Sequence, residues 1–186
     1  IASCLVGSEM CIRDRRMAAL AAGVAHDLQA EAIPELTAIA NELGMTCFLG
    51  VLDGDDCITL ASIEPRHAIA SVAQRPGARH PVTVGAPGKA ILTQLPISQW
   101  PGDARAALHA EVDEARVRGY ATSHDEVIPT VQSVAVPLAL RGQRPAAIAV
   151  VHVATDLDDA EIAARLRRSA ASVSYTHLTL PTIYSV

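Results

Sequence analysis

The chain has 186 residues, enough for one domain with its own core, and a formal net charge of −5 with acidic and basic side chains interspersed. Such a surface repels phosphate backbones, so this chain alone is not expected to bind nucleic acid. Half of the residues are hydrophobic but only 3% are aromatic, so the core must be built from Ala, Val, Leu and Ile.

Cys4, Cys11, Cys47 and Cys57 show no CxxC or Cys/His ligand spacing. Neither a metal site nor a disulfide framework is suggested, and no cofactor motif appears. No apolar run approaches the length of a membrane span, and the expected location is cytoplasmic. The opening IASC resembles a lipoprotein cleavage box but lacks the basic and apolar segments that must precede one.

Two segments are compositional misfits: LVGSEMCIRDR at 5–15 and VSYTHLTLPTIYSV at the end. Written as GAG ATG TGT ATA AGA GAC, the codons for Glu9 to Asp14 have a reverse complement that encodes Val-Ser-Tyr-Thr-His-Leu, which is Val173 to Leu178. Residues 1–15 and 172–186 are therefore expected to be translated sequencing-adapter DNA, excluded from fold reasoning. The alternative is a β-prone tail docked as an edge strand.

Residues 18–43 read as helix, with Ile33, Leu36, Ile39, Ala40 and Leu43 on one face, a break near Pro34 and a stop at Gly44. Two apolar runs around Asp53-Gly54-Asp55-Asp56 read as a hairpin, which AIASVA at 68–73 extends. RPGARHPV at 75–82 reads as loop and 88–95 as a short helix. Residues 103–117 read as a second amphipathic helix with Leu108, Val112 and Ala115 inward, ended by Gly119. Tyr120 begins an extended piece, 131–140 and 146–154 form another hairpin, and 158–171 is a closing helix with an acidic start. Hairpin connections give an antiparallel sheet with helices packed on its faces, an α+β domain.

Three clusters invite chemistry. GAPGKA at 85–90 lacks the first glycine and the Ser/Thr of a nucleotide-binding loop. What remains is Gly88 opening a helix whose N–H groups hold an anion such as a carboxylate, against an ordinary turn glycine followed by a solvated Lys89. Ser123, His124, Asp125 and Glu126 are neighbours whose side chains alternate in an extended strand, so no catalytic triad follows; the stretch is either a ligand-contacting loop or an ordinary polar one. His152 is either a surface residue or a pocket wall, while His26, His80 and His109 read as surface residues. Cys47 and Cys57 read as small strand residues rather than redox centres.

RPGARHPVTVGAPGKAIL resembles the signature segment of the isocitrate-lyase-regulator (IclR) family of bacterial transcription factors. VRGYATSHDEVIPTVQSVAVPL and AIPELTAIANELGMTCFLGVLDGDD resemble that family's flanking segments, so the resemblance covers about 16–171. It implies a GAF-like effector-binding domain that works as a dimer or tetramer. It also implies that DNA is reached only through an N-terminal winged helix-turn-helix, missing here. A small organic acid would contact Ala86, Pro87 and Gly88, the Ser123, His124 and Asp125 loop, Ser133, and the strand positions Ala149 and Val151. Three departures stand out: Thr130 where the family usually has Gly, Pro87 removing a backbone donor, and Ala149 and Val151 in place of hydroxyl-bearing residues. The last points to an apolar or aromatic acid. The expected function is the sensing half of a one-component regulator, without catalytic residues. The alternatives are a GAF-like sensor from another signalling protein, or a small enzyme using His124 with Asp125 or Glu126.

Overall fold

The computed structural model describes residues 28–67, 72, 74–102, 106–140, 142–153 and 155–179. Helix α1 occupies 28–43. It is followed by β1 (Thr46–Asp53), β2 (Asp56–Ile63), β3 (Arg79–Pro81), α2 (Gly85–Leu92), α3 (Ala106–Arg118), β4 (Ala121–His124), β5 (Gln132–Leu138), β6 (Ala146–His152) and α4 (Asp159–Thr179). A single 3-10 turn at Ile97–Gln99 lies between α2 and α3. Every strand pairing is antiparallel, in the order β3-β2-β1-β6-β5-β4, so the α+β expectation holds.

Strand alternation divides the core between the two faces of this sheet. On one face Cys47, Leu49, Val134, Val136, Ile148 and Val150 meet Leu36 and Ile39 of α1 and Ile162 and Leu166 of α4. On the other, Phe48, Ala135, Ala147, Ala149 and Val151 meet Ala86, Ala90 and Ile91 of α2 and Leu108 and Val112 of α3. β6 is therefore buried along its whole length. Each large aliphatic side chain buried this way stabilises the fold by about 1.5–3 kcal/mol.

Several elements depart from the sequence expectation. α1 runs through Pro34 without a break, because Leu28, Ala32, Leu36, Ile39 and Ala40 anchor both sides of the proline to the core. Ile33, expected on the apolar face, is instead 39% exposed. Gly44 ends the helix as expected, at φ 67 with its N–H donating to Ala40 O. The segment expected to be loop contains β3, which pairs with β2; three residues are too few to show alternation. Of the run at 68–73 only Val72 is described, so that expectation lies outside the described residues, as does the start of the helix expected at 103.

α4 begins with a partial capping box, the Glu161 carboxylate accepting from the Asp158 N–H at 3.4 Å. It continues past the expected end at 171. Val173 is buried on the α1/α4 side, and Ser174 Oγ donates to Ala139 O at 3.3 Å. Residues 1–15, and 180–186 at the other end, lie outside the described residues.

Candidate functional site

The site is built around α2. All eight residues of this helix are buried, because the strands beneath it offer Ala135, Ala147 and Ala149. The approach is close enough that a Cβ on Gly88 would lie 2.1 Å from the Val82 carbonyl oxygen. The helix opens at Gly85, at φ 83, three residues earlier than expected from sequence. Gly88 is thus a packing glycine inside the helix rather than its first residue. Pro87 falls in the first turn, where an N–H has no helical partner to lose.

An ion cluster ties α2 to its surroundings. Lys89 is 4% exposed, not solvated. Its ammonium group engages the carboxylates of Glu126 and Glu111 and donates to Thr122 O at 3.3 Å. The other oxygen of Glu126 accepts from the Gly85 N–H at 2.9 Å. The carboxylate favoured by this helix N-terminus is therefore supplied by the chain itself.

Glu126 belongs to the loop between β4 and β5. Asp125 and Thr130 both take left-handed backbone, φ 60 and φ 68. Asp125 Oδ1 accepts from the Thr130 N–H, and Asp125 Oδ2 meets His124 Nδ1 at 2.7 Å. A β-branched residue is strained at positive φ, so the departure at Thr130 appears as local strain. Thr130→Gly is expected to stabilise the domain by about 1 kcal/mol, read as a higher urea midpoint. An unchanged or lower midpoint would mean that the loop does not hold this conformation in solution.

The loop, α2, β3 and the sheet enclose a cavity of about 120 Å³. Phe48, Pro87, Val127, Ile128, Val131 and Val151 form its apolar wall. Ser123, Ser133, His80, Gln74 and Arg79 supply the polar groups. Ser123 Oγ donates to Ser133 Oγ at 3.3 Å across the β4–β5 pairing. Val127 and Ile128 line the cavity although they are 51% and 43% exposed, so they sit at its mouth.

Of the residues singled out from sequence, the structure brings Pro87, Ser123, Ser133 and Val151 to this cavity. Ala86 and Gly88 are buried in the packing of α2, and Ala149 lies in the sheet, none of them on the cavity wall. His124 and Asp125 are exposed. His124 faces an adjoining polar cleft that shares Ser123 and Ser133 with the cavity and also contains Lys89, Glu111, Arg118 and Gln132. His80, expected at the surface, is half-buried on the cavity wall. His109 packs edge-on against Trp100, with ring centroids 4.8 Å apart.

Sequence reasoning missed Phe48, Val127, Ile128 and Val131. Val131 reads only as the start of a strand, while Val127 and Ile128 directly follow the polar run Ser123 to Glu126, and an apolar VIP beside such a run is the signal that could have found them.

His152 is buried and neither ring nitrogen has a hydrogen-bond partner. Burial lowers its pKa below the usual histidine value, with Asp159 opposing, so its neutral form is favoured. Burial likewise pushes the Cys57 thiol up to about 12 and the Cys47 thiol higher still, which suits small core residues. Among the described residues no group of three or more His, Cys, Asp or Glu side chains is placed to hold a metal ion. No described helix is long and apolar enough to cross a membrane.

The geometry defines a class: a two-sided α+β domain with a small, mostly apolar chamber closed by a loop. Residues 21–100 and 103–175 match the family model described as bacterial transcriptional regulator IclR C-terminal, and the chain belongs to that family. It is 32% identical over 133 residues to "Probable transcriptional regulator SauR" of Cupriavidus necator, covering 63% of this chain. That alignment spans 52% of the relative, so this chain matches about half of its length. A crystal structure of an IclR transcriptional regulator from Alicyclobacillus acidocaldarius superposes with a TM-score of 0.72 at 27% identity, covering 87% of this chain and 73% of that one. An IclR homologue from Microbacterium hydrocarbonoxydans, crystallised with 4-hydroxybenzoate, shares the fold with a TM-score of 0.72 at 19% identity, covering 84% and 70%.

Proposed function

We propose that this domain senses a small organic acid with an apolar, ring-sized body, held in the chamber under the β4–β5 loop. The observation that carries the reading is the wall itself: mostly apolar side chains with only a few polar groups, the usual make-up of a small-molecule site. An apolar cavity of about 150 Å³ takes a benzene ring, so about 120 Å³ suits one ring after modest loop adjustment. Val151 on the wall favours an apolar acid over a small polar one. The 4-hydroxybenzoate held by the Microbacterium homologue is an acid of this kind.

The domain works by linkage in a longer regulator. Effector binding favours one arrangement of a dimer or tetramer, and that preference changes how winged helix-turn-helix heads meet DNA in the cytoplasm. In this reading the domain is a sensor without catalytic residues or a cofactor, and the exposed His124, paired with Asp125 and Gln132, has no catalytic role. The family membership favours this reading over a sensor from another signalling protein. The proposal also keeps residues 1–15 and 172–186 as adapter-derived, which resequencing the source locus across both ends tests.

The functional test is calorimetric titration of the chain with benzoate, 4-hydroxybenzoate, glyoxylate and pyruvate. The aromatic acids are expected to bind and the two small acids are not. Val151→Phe fills the chamber and is expected to weaken aromatic-acid binding by about tenfold or more. Tight glyoxylate or pyruvate binding without aromatic-acid binding would sink the apolar-chamber reading. Unchanged operator affinity of a full-length protein at saturating effector would sink the linkage.

A further inference from the structure

We propose that His80 is the specificity-determining residue of this chamber, the cation that pairs with an effector carboxylate and so selects monocarboxylates on an apolar ring. This rests on the effector reading above. A carboxylate entering a mostly apolar space needs a charge partner or several free donors, and the neighbouring cations Arg79 and Lys89 and the Gly85 N–H are already paired within the chain. The Arg79 guanidinium is held by Asp56 at 3.0 Å and Asp53 at 3.2 Å. The Lys89 ammonium is shared among Glu126, Glu111 and Thr122 O. At the start of α2 the Gly85 N–H is bound to Glu126, and Pro87 has no N–H.

The neutral donors are weaker candidates. Gln74 Nε2 donates to Thr59 Oγ1 at 2.8 Å, and Ser123 and Ser133 are bonded to each other. The two hydroxyls can orient a carboxylate but carry no charge.

His80 is different. Its ring lines the chamber and lies against the Gly85 end of α2. Nδ1 is 3.1 Å from the Pro81 carbonyl oxygen, which can only accept, so Nδ1 carries the proton. Nε2 is then the nitrogen left for a ligand, and protonation turns it into a charged donor. The ring of the acid would lie against Phe48, Val131 and Val151, with its carboxylate toward β3.

The charged and titratable groups around His80 are Arg79 beside it, Asp56 and Cys57 across the β2 pairing, and Glu126 and Lys89 from the loop and α2. Of these side-chain types, only imidazole ordinarily changes charge between pH 5 and 8. Cys57, the direct strand partner of His80, is held neutral by burial. Carboxylate affinity is therefore expected to be higher at pH 6 than at pH 8.5.

The test uses the whole chain and two probes of nearly the same shape, benzoate and neutral benzamide, titrated at pH 6 and pH 8.5. Benzoate affinity is expected to drop by about tenfold between the two pH values, while benzamide affinity stays level. His80→Gln and His80→Leu are each expected to lose about tenfold in benzoate affinity at pH 6, to flatten its pH profile, and to leave benzamide within about twofold. Variants that keep the wild-type affinity and slope would overturn the assignment. So would equal loss of both probes, which would mark His80 as part of the wall only. Should a variant fail to fold, the wild-type pH profile still decides: a level benzoate profile overturns the assignment. If the wild-type chain binds no aromatic acid at either pH, the effector reading itself falls and this inference falls with it.

Discussion

Replacing Gly88 with alanine is expected to remove about 3 kcal/mol or more of stability, a large part of what a domain of this size possesses. The added methyl group would stand 2.1 Å from the carbonyl oxygen of Val82 and 2.8 Å from its carbonyl carbon. Both are backbone atoms, so no rotamer change relieves the clash. Val82 is fully buried, and its N–H is already bound to Asp55 O at 2.8 Å, so the strand exit cannot retreat freely. The helix cannot retreat either without opening gaps over Ala135, Ala147 and Ala149. Urea unfolding provides the measurement. Gly102→Ala serves as the control, because nothing lies within 4 Å of a Cβ built there, and its effect should stay within about 0.5 kcal/mol. A Gly88→Ala midpoint equal to that of the control would show that α2 is not packed on Val82 as described. Because Pro87 lines the chamber, a variant that does fold should also bind an aromatic acid more weakly.

Much of the fold was readable because local rules and tertiary packing agree. The β1–β2 and β5–β6 hairpins follow from alternating runs around turn residues, and α3 ends at Gly119 as its pattern requires. Where packing overrides local preference, the reading slipped. Proline alone would break α1 at Pro34, but a face of buried aliphatics carries the helix through. β3 exists because β2 offers it a pairing edge, which its own three residues do not announce.

The candidate site was legible only in part, for a related reason. Ser123, Ser133 and Val151 come together because the neighbouring strands β4, β5 and β6 all read as extended, whereas Pro87 reaches the chamber from a helix that starts three residues before the expected Gly88. Ala149 has the same parity as Val151 along β6, so it shares the face but lies under α2 rather than at the chamber. Lys89 looked like a surface lysine because its partners are 22 and 37 residues away, on α3 and on the β4–β5 loop. No periodicity in the sequence reports such a pairing.

That pairing leads to the second large effect. Changing Glu111 and Glu126 to glutamine together is expected to destabilise the domain by about 3–5 kcal/mol, because a buried ammonium is left with only neutral acceptors. Each single change should cost much less, about 1 kcal/mol, since Lys89 keeps one carboxylate and the amide oxygen introduced by Glu126→Gln can still accept from the Gly85 N–H. The excess of the double over the sum of the singles is the quantity to measure, by urea unfolding in a double-mutant cycle. The cluster also links the chamber to the rest of α2: Glu126 precedes Val127 and Ile128 at the chamber mouth, so weakening it should loosen the loop and reduce aromatic-acid affinity in step with stability. Adding Lys89→Met to the double variant removes the stranded charge while keeping a long apolar stem, and should recover about 1–3 kcal/mol. Recovery with the methionine would locate the penalty in the lysine charge. Additive singles and no recovery would mean that water reaches the ammonium, and the cluster would then be a surface contact rather than the strut that holds the loop on α2.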